Sequence, residues 1–157
     1  MFKLLMLLIL ALLPTINASE NKKFQTVSKE NATLLQKGTQ KESCYKCGMN
    51  LIKFYKTSHA SSIGAKEYQY CSIHCLADHL SEGLSLEDPK VVDIISLEFI
   101  DTRAAYYVVG SKVRGTMSRV SKYAFLKESD AKDFQAKNGG EIMNFFEALE
   151  VAKKDFK

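Results

Sequence analysis

The residues best suited to chemistry in this chain are four cysteines and three histidines, and all of them fall between positions 44 and 79. The stretch opens C-Y-K-C-G-M and closes Y-C-S-I-H-C-L-A-D-H. Two residues separate Cys44 from Cys47, 23 separate Cys47 from Cys71, and three separate Cys71 from Cys75. Two local pairs joined by a long loop is the spacing of a metal site. A C-x-x-C turn can aim both sulfurs into one small volume, and Cys71 and Cys75 lie one helical turn apart on one face. Facing pairs would close a tetrahedral thiolate site. One or two structural disulfides are the plainer alternative, and the same thiols could serve a zinc knuckle. His74 and His79 share the second pair's helix and are weaker candidate ligands, while His59 falls in a loop and is assigned no role.

The compartment bears on these thiols. Residues 1–18 combine a charged start at Lys3, an apolar run from Leu4 to Leu13, a break at Pro14 and a small residue at Ala18, the pattern of a secretory signal peptide. Ten apolar residues are too few to span a bilayer comfortably, so no stable membrane insertion is expected once the signal is removed. An exported protein meets oxidising conditions, where four thiols are either oxidised, protected by a metal, or cycling between the two. No cysteine sits at the signal junction to accept a lipid, so a periplasmic protein without an obvious lipid anchor is expected. Removing Lys3 lowers the formal net charge from +4 to +3, too weak and too dispersed for nucleic-acid binding.

With 157 residues, 46% of them apolar, the chain can bury a real core. The polar stretch 19–42 reads as a flexible tether ahead of a metal-binding domain over 43–157. After the C-x-x-C turn, 49–55 (M-N-L-I-K-F-Y) and 66–70 (K-E-Y-Q-Y) have the residues of strands, with a loop over 59–65 between them. Residues 72–81 place Ile73, Leu76, Ala77 and Leu80 at helical spacing, and Gly83 stops the helix. Cys71 then sits at the helix N-terminus, where the macrodipole favours thiolate.

Residues 90–100 and 104–110 read as further strands, and a hairpin around 111–116 leads through Met117 into a strand at 123–126. Ser129 is the expected N-cap of a helix that Gly139-Gly140 ends, 141–145 is a closing strand, and 146–156 is an amphipathic C-terminal helix. Segments 49–100 and 105–145 thus repeat one order: strand, strand, helix, strand. The expected fold is α+β, two duplicated β-β-α-β units packed as one small domain with a C-terminal helix. Only the first copy carries cysteines.

C-Y-K-C-G-M, followed by F-I-D-T-R-A-A-Y-Y-V-V-G-S-K-V-R-G-T-M and then Y-A-F, D-A-K-D-F and N-G-G-E-I, resembles the NosL family of nitrous-oxide reductase accessory proteins, over positions 44 to about 149. The resemblance implies a periplasmic copper(I) chaperone, not an enzyme, with a duplicated β-β-α-β fold. Its implied partners are a membrane ABC-transporter complex for copper-site assembly and nitrous-oxide reductase itself. Carried onto this chain, the C-x-x-C-G-M motif falls on Cys44, Cys47 and Met49, and a G-x-M motif on Gly115 to Met117. Thiolate and thioether are soft ligands that suit Cu(I). The pair at Cys71 and Cys75 is similar instead to the C-x-x-C…C-x-x-x-C pattern of TRASH-type treble-clef modules, which leaves zinc as an alternative or additional metal. Two other functions stay open: a thiol-disulfide oxidoreductase using Cys44 and Cys47, and a zinc-stabilised sensing or interaction module. The D-T-R-A-A-Y-Y run is read as an Asp101–Arg103 ion pair at a strand end with Tyr106 and Tyr107 in the core.

Overall fold

In a computed structural model, the described residues are 23–83, 85 and 87–155. The leader read at 1–18 lies outside them. Among the described residues, seven strands form two antiparallel sheets. The first sheet holds β1 (His59–Ile63), β2 (Lys66–Tyr70), β3 (Glu87–Val92) and β4 (Phe99–Asp101), in the order β2-β1-β3-β4. The second holds β5 (Tyr106–Val109), β6 (Lys122–Phe125) and β7 (Glu141–Met143), in the order β6-β5-β7. Helix α1 (Ile73–Leu80) connects β2 to β3, α2 (Glu128–Asn138) connects β6 to β7, and α3 (Phe145–Lys154) closes the chain.

The two units share one topology. In each, the first strand is central, the second pairs antiparallel on one side, and the strand after the helix pairs antiparallel on the other. The duplicated β-β-α-β fold and the C-terminal helix are therefore present. Several boundaries differ from the pattern reading, each for a local reason. Residues 49–55 form turns running into a single 3-10 turn at Tyr55–Thr57. There the Asn50 side-chain oxygen accepts from Lys53 N–H at 3.0 Å, a local bond that competes with a strand ladder. The stretch 59–65, expected as a loop, supplies the central strand β1. Its His59, Ala60 and Ser61 are poor strand formers by type, yet they are buried between two neighbours. Gly64, at φ 57°, makes the two-residue turn into β2.

The single strand expected over 90–100 is a hairpin of β3 and β4, folded back at Asp93. The Asp93 carboxylate accepts from Ser96 N–H at 3.0 Å and Ser96 Oγ–H at 2.7 Å, and it also accepts from Leu126 N–H at 3.3 Å in the second unit. One aspartate thus makes the turn and joins the units. Helix α2 starts at Glu128 with Lys127 in the N-cap place, ahead of the expected Ser129, and Gly139 ends it at φ 70°. α3 begins at a capping box between Asn144 and Glu147.

α3 turns Phe145, Ala148, Leu149 and Ala152 into the larger core, where it packs against α1 and β5. α2 covers β5, β6 and β7 over a smaller core of Val108, Tyr123, Phe125 and Ala131. The stretch read as a tether makes specific contacts along this body. Gln25 is buried and donates to Arg114 C=O at 2.6 Å, Thr33 N–H donates to Tyr55 Oη at 3.0 Å, and Phe24 packs edge-on to Tyr123 at 5.2 Å.

Candidate metal centre

The first pair of thiols rides on a tight knuckle. Cys44 N–H donates to Met49 C=O at 2.8 Å and Gly48 N–H to Cys44 C=O at 2.9 Å, so the chain doubles back with Ser43 bridged to Asn50. Gly48 takes φ 73°, a left-handed conformation that favours glycine. Tyr45 N–H donates to Gln69 C=O at 3.0 Å, docking the knuckle on the end of β2. Gln69, itself buried, uses its side chain to hold Thr33 and Leu35. The second pair flanks the first turn of α1, with Cys71 just before the helix and Cys75 inside it. Knuckle, β1–β2 hairpin and helix start together bring the two cysteine pairs to one place.

All four sulfurs lie within 4.8 Å of one another. Cys47 Sγ is 3.5 Å from Cys71 Sγ, which is 3.7 Å from Cys75 Sγ. Thiolates at 2.3 Å around one tetrahedral ion stand about 3.8 Å apart, so the cluster matches the dimensions of a single bound metal. Cys44, Cys71 and Cys75 are buried, whereas Cys47 is exposed, and none is in a disulfide. The cluster is therefore closed on three sides and open at one sulfur.

Its electrostatics favour ionisation at one sulfur over the others. Side-chain contacts with Cys71 and Cys75 hold the Cys44 thiol well below the usual thiol range. The same contacts with Cys44, together with burial, push the Cys71 and Cys75 thiols up. Packed this closely, the sulfurs concentrate their negative charge on one member, and a bound soft cation would let the others ionise too. The N–H groups of α1's first turn favour the same charge.

The other expected ligands are placed differently. Met49 is half-buried against the larger core and serves the knuckle through its backbone. Met117 is exposed on the loop after β5, at φ 62°. That loop is tied to the cluster: Thr57 Oγ1 lies 2.8 Å from both Thr116 Oγ1 and the Cys71 carbonyl oxygen. His79 is engaged by the Tyr70 hydroxyl, 2.7 Å from its Nδ1. The buried His74 places Nε2 3.1 Å from Asp155 Oδ2, and burial with the nearby Lys122 ammonium holds it down at about 4. His59, assigned no role and placed in a loop, is buried in β1. Its Nδ1 lies 3.1 Å from Thr57 C=O and its Nε2 3.1 Å from Tyr107 Oη, so it joins the two units. The Asp101–Arg103 ion pair forms at 2.6 Å, and Tyr107 is fully buried while Tyr106 is partly exposed.

One positioning residue escaped the sequence reading. Lys46, inside the knuckle, pairs with Asp78 at 3.0 Å and with Glu82, clamping the loop that carries Cys47 onto α1. A lysine inside C-x-x-C, with one acid on the following helix and a second four residues later just past its end, was the available signal. Beside the knuckle, a cleft of about 930 Å³ opens between Leu35, Ser43, Cys44, Tyr45 and Lys66. Among the described residues, no helix is long and apolar enough to cross a membrane.

Comparisons with known proteins agree with this geometry. The family model for NosL matches residues 36–151. Among solved structures, the crystal structure of the copper chaperone NosL from Shewanella denitrificans is similar with a TM-score of 0.55 and 25% sequence identity, over 67% of this chain and 87% of that one. No curated protein matches the chain.

Proposed function

Given that the chain belongs to the NosL family, we propose that it is a periplasmic Cu(I) metallochaperone that supplies copper for assembly of the nitrous-oxide reductase centres. The observation that carries the reading is the four-sulfur cluster with one exposed member. A carrier must hold a soft ion tightly yet surrender it to an incoming ligand. Buried Cys44, Cys71 and Cys75 supply the hold, and Cys47 is the sulfur an acceptor can reach first. Met117, on a loop hydrogen-bonded towards Cys71, supplies a thioether from the second unit during transfer. A membrane ABC-transporter complex and nitrous-oxide reductase are the proposed partners, and the protein itself is a carrier and not an enzyme.

A second reading rests on the same cluster. Four thiolates around one Zn²⁺ make a closed structural site, and the sulfur spacing fits that ion as well. The oxidoreductase alternative is weaker, because the C-x-x-C pair sits on a knuckle that turns back at Gly48, while the helix start belongs to Cys71 and Cys75.

Anaerobic titration of the reduced protein with Cu(I) against a competing chelator, after assay of the metal already bound, separates the readings. One tightly held Cu(I), weakened by both Cys47→Ser and Met117→Ala, supports the chaperone. Zinc held by all four cysteines, with no Cu(I) uptake that depends on Met117, overturns it.

A further inference from the structure

The four sulfurs do not stand equally in their cluster. Cys71 is the hub: its Sγ lies 3.5 Å from that of Cys47 and 3.7 Å from that of Cys75, and its side chain also touches Cys44. Cys44 turns its side chain to Cys71 and Cys75. Of the four, Cys47 alone is exposed, so an oxidant arriving from solvent meets its sulfur first. The C-x-x-C spacing by itself would join Cys44 to Cys47, but the fold presents Cys47 to Cys71. Tyr45 N–H, donating to Gln69 C=O at 3.0 Å, docks the knuckle two residues ahead of Cys71. Lys46 pairs with Asp78 on α1 and with Glu82 just past its end, which holds the Cys47 loop against the helix that Cys71 precedes.

We propose that in the metal-free protein Cys47 and Cys71 form a reversible disulfide that shuts the cluster, with a low-molecular-weight disulfide as the oxidant. The Cys47 sulfur attacks one sulfur of the oxidant and breaks its S–S bond. A mixed disulfide forms on Cys47, and one small thiol leaves with the Cys47 proton. Cys71 Sγ then attacks Cys47 Sγ, the mixed S–S bond breaks, and the second small thiol leaves with the Cys71 proton. Two electrons have passed from the protein to the oxidant, and two small thiols reverse both steps. The sulfurs need to close by only about 1.5 Å to reach the bonded distance of about 2.0 Å. Cys44 and Cys75 stay reduced because both are buried. The bond consumes two of the four ligands, the open one included, so the oxidised cluster cannot take a metal. A metal held by all four sulfurs engages Cys47 and blocks the first attack. The disulfide also shields the exposed thiol of an empty carrier from irreversible oxidation. As a switch it rests on the reading of the cluster as the metal site.

The test incubates the metal-free, reduced protein with oxidised glutathione in the absence of oxygen, alkylates the remaining thiols and maps the linked peptides by mass spectrometry. Cys47 joined to Cys71, with Cys44 and Cys75 alkylated, is the expected result. Cys71→Ser should stop at a glutathione mixed disulfide on Cys47, and Cys47→Ser should slow oxidation about tenfold or more. Loading the parent with Zn(II) beforehand should slow its oxidation to a similar degree, and the oxidised parent should take up no Zn(II) until it is reduced. The linkage map of the parent needs no variant, so it decides the matter even if Cys71→Ser fails to fold. Cys44 joined to Cys47, Cys71 joined to Cys75, a mixed disulfide that persists on the parent, or Zn(II) uptake by the oxidised parent would each overturn the proposal. A wrong linkage in a protein whose reduced form binds Cu(I) sinks the disulfide and leaves the carrier reading standing. The Cys47-to-Cys71 link in a protein whose reduced form binds neither Cu(I) nor Zn(II) removes the carrier and leaves the disulfide.

Discussion

Cys47 and Cys71 bring their sulfurs to 3.5 Å from opposite sides of a hairpin, one exposed to solvent and the other fully buried. Substituting them should therefore separate metal binding from folding. Cys47→Ser removes a ligand at the surface and should weaken Cu(I) by about tenfold or more while leaving the metal-free fold within about 0.5 kcal/mol. Cys71→Ser places a hydroxyl in the core and should weaken Cu(I) while also costing the metal-free protein about 1–3 kcal/mol. Chelator competition and urea denaturation of the reduced, metal-free proteins measure the two effects. Equal stability losses would show that the open side of the cluster is not open.

Met117 holds a left-handed backbone conformation at φ 62°, which a non-glycine residue adopts at a cost of about 1–2 kcal/mol. Its side chain is half exposed, so little core packing repays that strain. Met117→Gly relieves the strain and adds freedom to the unfolded chain, and the two effects largely offset. Stability should stay level or rise by up to about 1 kcal/mol. If the thioether is a ligand, Cu(I) affinity should fall in the glycine and alanine variants alike, the reverse of the stability order. Copper affinity unchanged in both would remove Met117 from the ligand set.

Much of this site was legible in the sequence, and the reasons for what was not are physical. The four cysteines announce themselves by spacing, and Cys75 lies on a helix whose apolar period is clear, with Cys71 just ahead of it. The duplicated order of elements was readable because each unit repeats strand, strand, helix and strand. β1 was not, since His59, Ala60, Ser61 and Ser62 do not have the look of a central strand. They form one because the neighbours on both sides bury them, a tertiary effect that propensity cannot see. Asp93 broke an apolar run that otherwise read as one long strand, and only its bonds to Ser96 reveal the turn. His59 was passed over for the same reason as its strand.

That histidine predicts how stability depends on pH. His59 is fully buried, and burial lowers its pKa from 6.5 to about 3. A carbonyl can only accept, so Nδ1 donates to Thr57 C=O, which leaves Nε2 to accept from the Tyr107 hydroxyl. The folded protein keeps this imidazole neutral down to about pH 3, while the unfolded chain protonates it below about 6.5. The unfolded state therefore binds more protons in that window, and stability falls with falling pH by up to about 1.4 kcal/mol per unit. His74 and His79 are also lowered by burial and add to the trend. His59→Gln should flatten the curve between about pH 6 and 4 relative to the parent, as read by urea denaturation of the metal-free protein. Parallel curves would mean that His59 is protonated in the fold.

Asp155, at the end of α3, gathers three groups onto one carboxylate oxygen. Lys122 Nζ and Ser118 Oγ each donate to it at 2.7 Å, and His74 Nε2 lies 3.1 Å away. The Lys122 side chain is almost wholly buried, so its ammonium depends on this carboxylate, whereas Asp155 keeps about a fifth of its side chain exposed. Asp155→Asn strands the buried charge. Breaking a buried pair costs about 3–5 kcal/mol, and the solvent-facing side of Asp155 reduces this to about 2 kcal/mol. Lys122→Met fills a similar volume without charge, so the double variant should recover much of that loss, giving a coupling of about 1 kcal/mol or more in a double-mutant cycle. The effect should also reach the metal. His74 sits between Cys71 and Cys75 on α1, and Asp155 links that turn to β6 and the end of α3. Asp155→Asn should accordingly release Cu(I) to a chelator faster than the parent, and the double variant should restore part of the hold. Release unchanged in Asp155→Asn, with stability lowered, would confine the cluster's role to the fold.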